Sequence, residues 1–222
     1  MISRFLAKCI LSLVVKLRVV GAEETARSGA YILAANHISH FDPPILSVAA
    51  QRKIDWMAMA ELFTHPVVAA WLLAIESFSV DRGKADRAAV RTALDRLKRG
   101  HVTGIFPEGG IRDGAGSVLE GAPIRPGIAT IAHMSGAPVI PCVLIGSDRL
   151  YASKSWLPFR RNTVWISFGK PIFCGDGGKS AREELETAVG ESMRSQLADM
   201  NQRFGLTPSD LPQPPSRRKG KY

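Results

Sequence analysis

The stretch "LAANHISHFDPPIL", residues 33–46, decides how the chain is read. It closes an apolar run that starts at Tyr31 and passes at once into the polar set Asn36, His37, Ser39, His40 and Asp42. A short uncharged run of this kind reads as a strand buried on both faces, the habit of parallel sheets. Pro43 and Pro44 then mark a helix start, because the residue before a proline avoids the helical region and proline is favoured at the first helical position. Strand, polar turn and helix together form the repeating unit of an open α/β sheet. In such sheets, sites lie at the carboxyl ends of strands.

Working outward, the same alternation recurs. "LRVVGA", "GAYILAAN", "DWMAMA", "SFSV", "VTGIF", "APVIPCVLIG" and "TVWISFG" read as strands. "PPILSVAAQ", "HPVVAAWLLAI", "KADRAAVRTALDRLKRG", "IATIAHMSG" and "SAREELETAVGESMRSQLADMNQRF" read as helices. In the third of these, Val90, Ala93, Leu94 and Leu97 share the inward face and Gly100 ends the helix. A glycine-rich loop spans 109–127. The expectation is a single-domain α/β fold with a mostly parallel twisted sheet flanked by helices. A chain of 222 residues with 45% hydrophobic content can bury one such core.

The charge is unevenly spread. Residues 1–20 hold Arg4, Lys8, Lys16 and Arg18 with no acid, and residues 206–222 hold Arg217, Arg218, Lys219 and Lys221 against Asp210, so the ends carry most of the net +9. A nearly neutral body excludes a nucleic-acid-binding domain, whose cations would stripe a folded face. Charges interrupt the apolar run of the first 20 residues before the roughly 18–20 residues that a membrane span needs. On a helix Arg4, Lys8, Ser12 and Lys16 form one narrow stripe, with Phe5, Leu6, Ile10, Leu13 and Leu17 opposite. That is the pattern of an interfacial helix, and also of a helix packed on the protein's own core. The expected organisation is an N-terminal amphipathic helix with entry to the first strand over 1–20, a domain over 21–205 with its motif core at 31–146, and a disordered, basic, proline-rich tail over 206–222. Three scattered cysteines suggest neither a disulfide framework nor a thiolate metal site.

His37 and Asp42 are five residues apart, about 140° on an ideal helix, so a turn between them is needed before they can meet. Three readings fit the pattern. Asp42 caps the helix beside a structural histidine; His37, His40 and Asp42 hold a metal; or Asp42 orients His37 as a general base. No G-x-S-x-G nucleophile elbow occurs. "GKS" at 178–180 lacks the first glycine of a phosphate-binding P-loop, since residue 173 is Phe.

Four blocks in order carry a resemblance. "NHISHFD" (36–42) resembles the N-H-x-x-x-x-D motif of the glycerolipid acyltransferases, the family of the lysophosphatidic acid acyltransferases. "FSVDR" (78–82), "FPEGGIRDG" (106–114) and "APVIPCVLIG" (137–146) resemble the blocks that follow it. Two departures are visible: Glu76 stands where a glycine usually opens the second block, and Ile111 precedes Arg112 in the third. The resemblance implies an O-acyltransferase with His37 and Asp42 as the catalytic pair. Arg82, Glu108, Gly109, Gly110 and Arg112 would handle the acceptor's phosphate, with no metal and no cofactor. The donor would be an acyl thioester of coenzyme A or acyl carrier protein, and the acceptor lysophosphatidic acid. The protein would work against a phospholipid surface on the cytoplasmic face of the membrane, as a monotopic or peripheral protein. Another lysolipid or glycolipid acceptor, or an inactive peripheral membrane protein on the same fold, are the alternatives.

Overall fold

The computed structural model describes residues 11–66, 69–70, 77–80, 86–157 and 161–213. Seven strands form one sheet: β1 (Val15–Val20), β2 (Tyr31–Ala35), β3 (Ile54–Met59), β4 (Phe78–Val80), β5 (Val102–Ile105), β6 (Val139–Ile145) and β7 (Asn162–Phe168). Their order is β1-β7-β6-β2-β5-β3-β4, and every pair is parallel except β6–β7. The helices are α1 (Asp42–Ala49), α2 (Arg87–Lys98), α3 (Gly127–Ser135) and α4 (Lys179–Phe204). The expected α/β class and mostly parallel sheet are found.

β2 lies at the centre because all five of its residues are apolar and fully buried. Its side chains alternate between two cores. Tyr31, Leu33 and Ala35 join Ile45 and Leu46 of α1 on one face, while Ile32 and Ala34 join Ala93 of α2, Ile128 of α3 and Leu185 of α4 on the other. The connection leaving β2 therefore covers one face and the connection from β5 to β6 the opposite face. That arrangement opens a crevice at the carboxyl end of β2, which β5 and β6 flank.

Two segments depart from the sequence reading. Residues 11–14 are helical, but Lys16 and Leu17, counted above on a helical stripe, lie in β1. The β-branched run there pairs with β7 from Val15↔Asn162 onward, and strand pairing overrides the four-residue spacing. Residues 1–10, which hold most of the expected amphipathic helix, lie outside the described residues, as does most of "HPVVAAWLLAI". The first residues of the expected tail make polar contacts with the domain. Asp210 pairs with Arg149 at 2.8 Å, and the Gln213 N–H donates to buried Asp148. These polar contacts fix the segment without the apolar periodicity that a sequence reading looks for. Residues 214–222 lie outside the described residues. Among the described residues no helix is long and apolar enough to cross a membrane.

Candidate active site

The chain leaves the sheet after Ala35, and Asn36 makes that departure possible. Its buried side chain imitates one more step of the β2–β6 ladder, with Nδ2 donating to Leu144 O (3.0 Å) and Oδ1 accepting from Leu144 N (2.8 Å). The main chain beyond is then free to turn. Asp42 N donates to Ser39 O, closing the turn, and α1 begins.

Asp42 is the first residue of α1, not its N-cap as expected, because Phe41 occupies that place. Its carboxylate points back into the turn. Oδ2 accepts from His37 Nδ1 (2.8 Å), Ile38 N (2.8 Å) and Ser39 N (2.9 Å), while Oδ1 accepts from the Ser147 hydroxyl. The turn that the five-residue spacing requires is thus wrapped around one fully buried carboxylate. A carboxylate accepting from Nδ1 fixes the imidazole tautomer and leaves Nε2 as the proton-accepting atom. Nε2 has no hydrogen-bond partner among the described residues.

The ring plane is set by stacking. His37 lies on Phe106 at 4.0 Å between centroids and 16° between planes, and Phe106 lies on Trp56 at 4.9 Å and 11°. Gly104 makes room for this stack: a Cβ there would meet Trp56 at 2.5 Å and Ile54 at 2.7 Å. The glycine pairs with Trp56 in the β3–β5 register. The indole is anchored from α1, with Nε1 donating to Ser47 Oγ at 2.8 Å.

The third block braces the backbone of His37 on both sides. His37 N–H donates to Glu108 Oε2 at 2.7 Å, and Arg112 N–H donates to His37 O at 2.9 Å. Glu108 Oε1 accepts from Ser117 Oγ (2.8 Å) and Val118 N (2.9 Å). Burial raises the Glu108 carboxyl above the ordinary glutamate value, while the His37, Val118 and Ser117 donors pull it back. Both of its oxygens are thus held by protein donors. The structure places Glu108 under the histidine turn, where it braces the backbone of His37.

Gly109 has φ +69, a conformation that favours glycine, and a Cβ there would displace the flexible Arg125 side chain, whose Nε would lie 2.4 Å away. Gly110 is half-buried and the Arg112 side chain exposed. Arg125, which the sequence reading passed over, joins Gly109 in lining an apolar cavity of about 700 Å³ between α2 and α3. Val90 and Leu94 of α2 are half-buried on the expected inward face, packed against the core and also lining this cavity, while Ala89, Ala93 and Leu97 are buried. Ile128, Ile131 and Met134 form the facing wall. Its size is typical of a ligand site. Arg82 lies outside the described residues.

His40 does not converge with His37. It is exposed, its ring meets Tyr151 edge-on at 6.0 Å, and its N–H donates to the Tyr151 hydroxyl. Partial desolvation of its ring by neighbouring groups, then the charge of His37, lower its pKa from the ordinary histidine value, with Asp42 opposing. Among the described residues no three His, Cys, Asp or Glu side chains are grouped to hold a metal. Cys142 is fully buried in β6, and burial holds its thiol well above the usual range. It is a core residue.

Comparison with known proteins gives one answer at three levels. The acyltransferase family model matches residues 16–145. The 1-acyl-sn-glycerol-3-phosphate acyltransferase of Bacillus subtilis (strain 168) is 26% identical over 198 residues, which cover 89% of this chain and 94% of that protein. A Streptococcus pneumoniae protein of the same name is 29% identical over 161 residues, covering 72% of this chain and 56% of the relative. The crystal structure of the 1-acyl-sn-glycerophosphate (LPA) acyltransferase PlsC from Thermotoga maritima superposes with a TM-score of 0.69 at 23% identity, covering 89% of this chain and 79% of that one.

Proposed function

The chain belongs to the acyltransferase family and is an O-acyltransferase, and from that premise we propose that it moves a fatty acyl group from a thioester to the free hydroxyl of lysophosphatidic acid, forming phosphatidic acid. The observation that carries this reading is the His37–Asp42 pair, with Nδ1 committed to a buried carboxylate and Nε2 left for a proton. His37 Nε2 takes the proton of the acceptor hydroxyl as its oxygen attacks the thioester carbonyl. A general base of this kind contributes roughly 10²- to 10⁴-fold. The tetrahedral oxyanion collapses with loss of a thiolate, a leaving group whose conjugate acid has a pKa of about 8.5, so no covalent acyl-enzyme is needed.

The oxyanion requires preorganised donors. The N–H groups of Gly110 and Ile111 make no hydrogen bond among the described residues and stand in the loop tied to His37 through Arg112. They are the donors assigned here. Arg82, Arg112 and Arg125 supply guanidinium groups for the acceptor's phosphate, because a guanidinium forks onto phosphate oxygens. The cavity between α2 and α3 suits an acyl chain, since its walls are largely aliphatic. The acyl donor is a thioester of coenzyme A or of acyl carrier protein. The enzyme acts at the cytoplasmic face of a phospholipid membrane, with residues 1–20 and the basic end of the chain meeting anionic lipid at about 1 kcal/mol per cation near the surface.

The test is transfer from radiolabelled palmitoyl- and oleoyl-coenzyme A to lysophosphatidic acid in micelles, with the His37→Ala protein alongside. Product from the parent chain only is the expected result. A folded His37→Ala protein with parental activity overturns the base assignment.

A further inference from the structure

β6 ends at Ile145, and the chain turns sharply at Gly146, whose φ is +92 and whose added Cβ would lie 2.6 Å from Thr163 O on the neighbouring strand. Only glycine takes that turn without strain. The turn brings Ser147, fully buried, back over the catalytic turn from a position 105 residues further along the chain. Its hydroxyl donates to Asp42 Oδ1 at 2.5 Å.

The two oxygens of Asp42 are held differently. Oδ2 accepts three hydrogen bonds, all from the local segment 37–39, whereas Ser147 holds Oδ1 from another strand. Rotation about the Cβ–Cγ bond, a broad and soft torsion, moves both oxygens together, so the local donors and Ser147 set the plane jointly. Ser147 satisfies the buried second oxygen and ties the carboxylate to the end of β6. The direction of the lone pair that meets His37 Nδ1–H depends on that plane. Ser147 is not itself a nucleophile: its proton is given to a carboxylate, and with no exposed surface it is out of reach of an acyl thioester. Its neighbours hold it in place. Tyr151, in the same 3-10 turn, receives the His40 N–H, and Asp148 and Arg149 are clasped by Gln213 and Asp210.

We propose that Ser147 is a positioning residue for the acyl transfer, the third member of a His37–Asp42–Ser147 chain that anchors the Asp42 carboxylate to the end of β6 through its second oxygen. This rests on the general-base reading of His37 above.

The experiment compares the parent chain with Ser147→Ala, Ser147→Thr, Ser147→Cys and His37→Ala, each checked for folding by circular dichroism. The expected result for Ser147→Ala is a kcat loss of roughly 10- to 100-fold, the range for one hydrogen bond to a charged group, with KM for donor and acceptor within about twofold of the parent. Ser147→Thr, which keeps the hydroxyl, recovers most of that kcat. Ser147→Cys, close in volume but a weak donor, shows the loss even if the alanine variant fails to fold. The downfield proton resonance of His37 Nδ1, identified by its absence from His37→Ala, shifts or broadens in Ser147→Ala and is retained in Ser147→Thr. A folded Ser147→Ala or Ser147→Cys protein with parental kcat and an unmoved resonance overturns the proposal, as does a rise in KM alone. A fully active His37→Ala protein instead overturns the base assignment on which the proposal rests, so the two failures are distinguishable.

Discussion

Replacing Glu108 by Gln separates a brace from a ligand-binding group. The glutamate accepts three hydrogen bonds in a buried setting: one from His37 N at Oε2, and two from Ser117 Oγ and Val118 N at Oε1. Glutamine has nearly the same shape but one carbonyl oxygen, so its amide group must face either the His37 N–H or the Ser117 and Val118 donors. One or two buried donors lose their acceptor, at about 1–3 kcal/mol each. Burying a neutral amide costs less than burying a carboxylate, which returns part of that loss. The net is a destabilisation of about 1.5–3 kcal/mol, and at roughly 2–4 °C per kcal/mol for a chain of this size the melting temperature falls by about 3–12 °C. Because the lost anchor includes the His37 backbone, kcat falls with the melting temperature while KM for the acceptor stays near its parental value. Thermal unfolding by circular dichroism and steady-state acyl transfer read both quantities on one preparation. A Glu108→Gln protein that melts with the parent and shows only a raised acceptor KM refutes the reasoning and returns Glu108 to the substrate.

Gly104→Val should cost at least about 1–3 kcal/mol from overpacking, because the new side chain starts where Trp56 and Ile54 already lie. It also displaces the indole beneath Phe106 and so lowers kcat, and an unchanged melt with unchanged kcat would remove the Trp56–Phe106–His37 stack from the account. The His40 prediction concerns pH. Its folded pKa is lowered, so between that value and the unfolded value near 6.5 the unfolded chain binds more protons than the folded one. Stability therefore rises with pH through this window and is lower, but level, below the folded pKa. Melting temperatures from pH 5 to 7.5 should show that rise in the parent and a flatter profile in His40→Gln, and equal profiles would show that His40 makes no contribution.

The sequence by itself determined the alternation of strands and helices and the parallel character of the sheet, and it offered the pairing of His37 with Asp42 as one of three readings. Each of these is written locally: in the uncharged run of β2, in the double proline, and in a spacing that one turn can close. The tertiary structure alone decided what holds that pair. Asn36 bonds Leu144 across 108 residues, His37 bonds Glu108 across 71, and Asp42 bonds Ser147 across 105. Glu108 is legible as a motif residue, yet its inward direction depends on where residues 117 and 118 fold, and Ser147 follows an ordinary apolar strand with nothing local to mark it. Val90 and Leu94 lie on the inward face that their periodicity marks, but that they also line a cavity facing α3 follows only from how the two helices pack. Periodicity records which face of an element is apolar. It does not record which elements become neighbours, and the long-range bonds that hold this turn cross between neighbours set by the strand order β6-β2-β5.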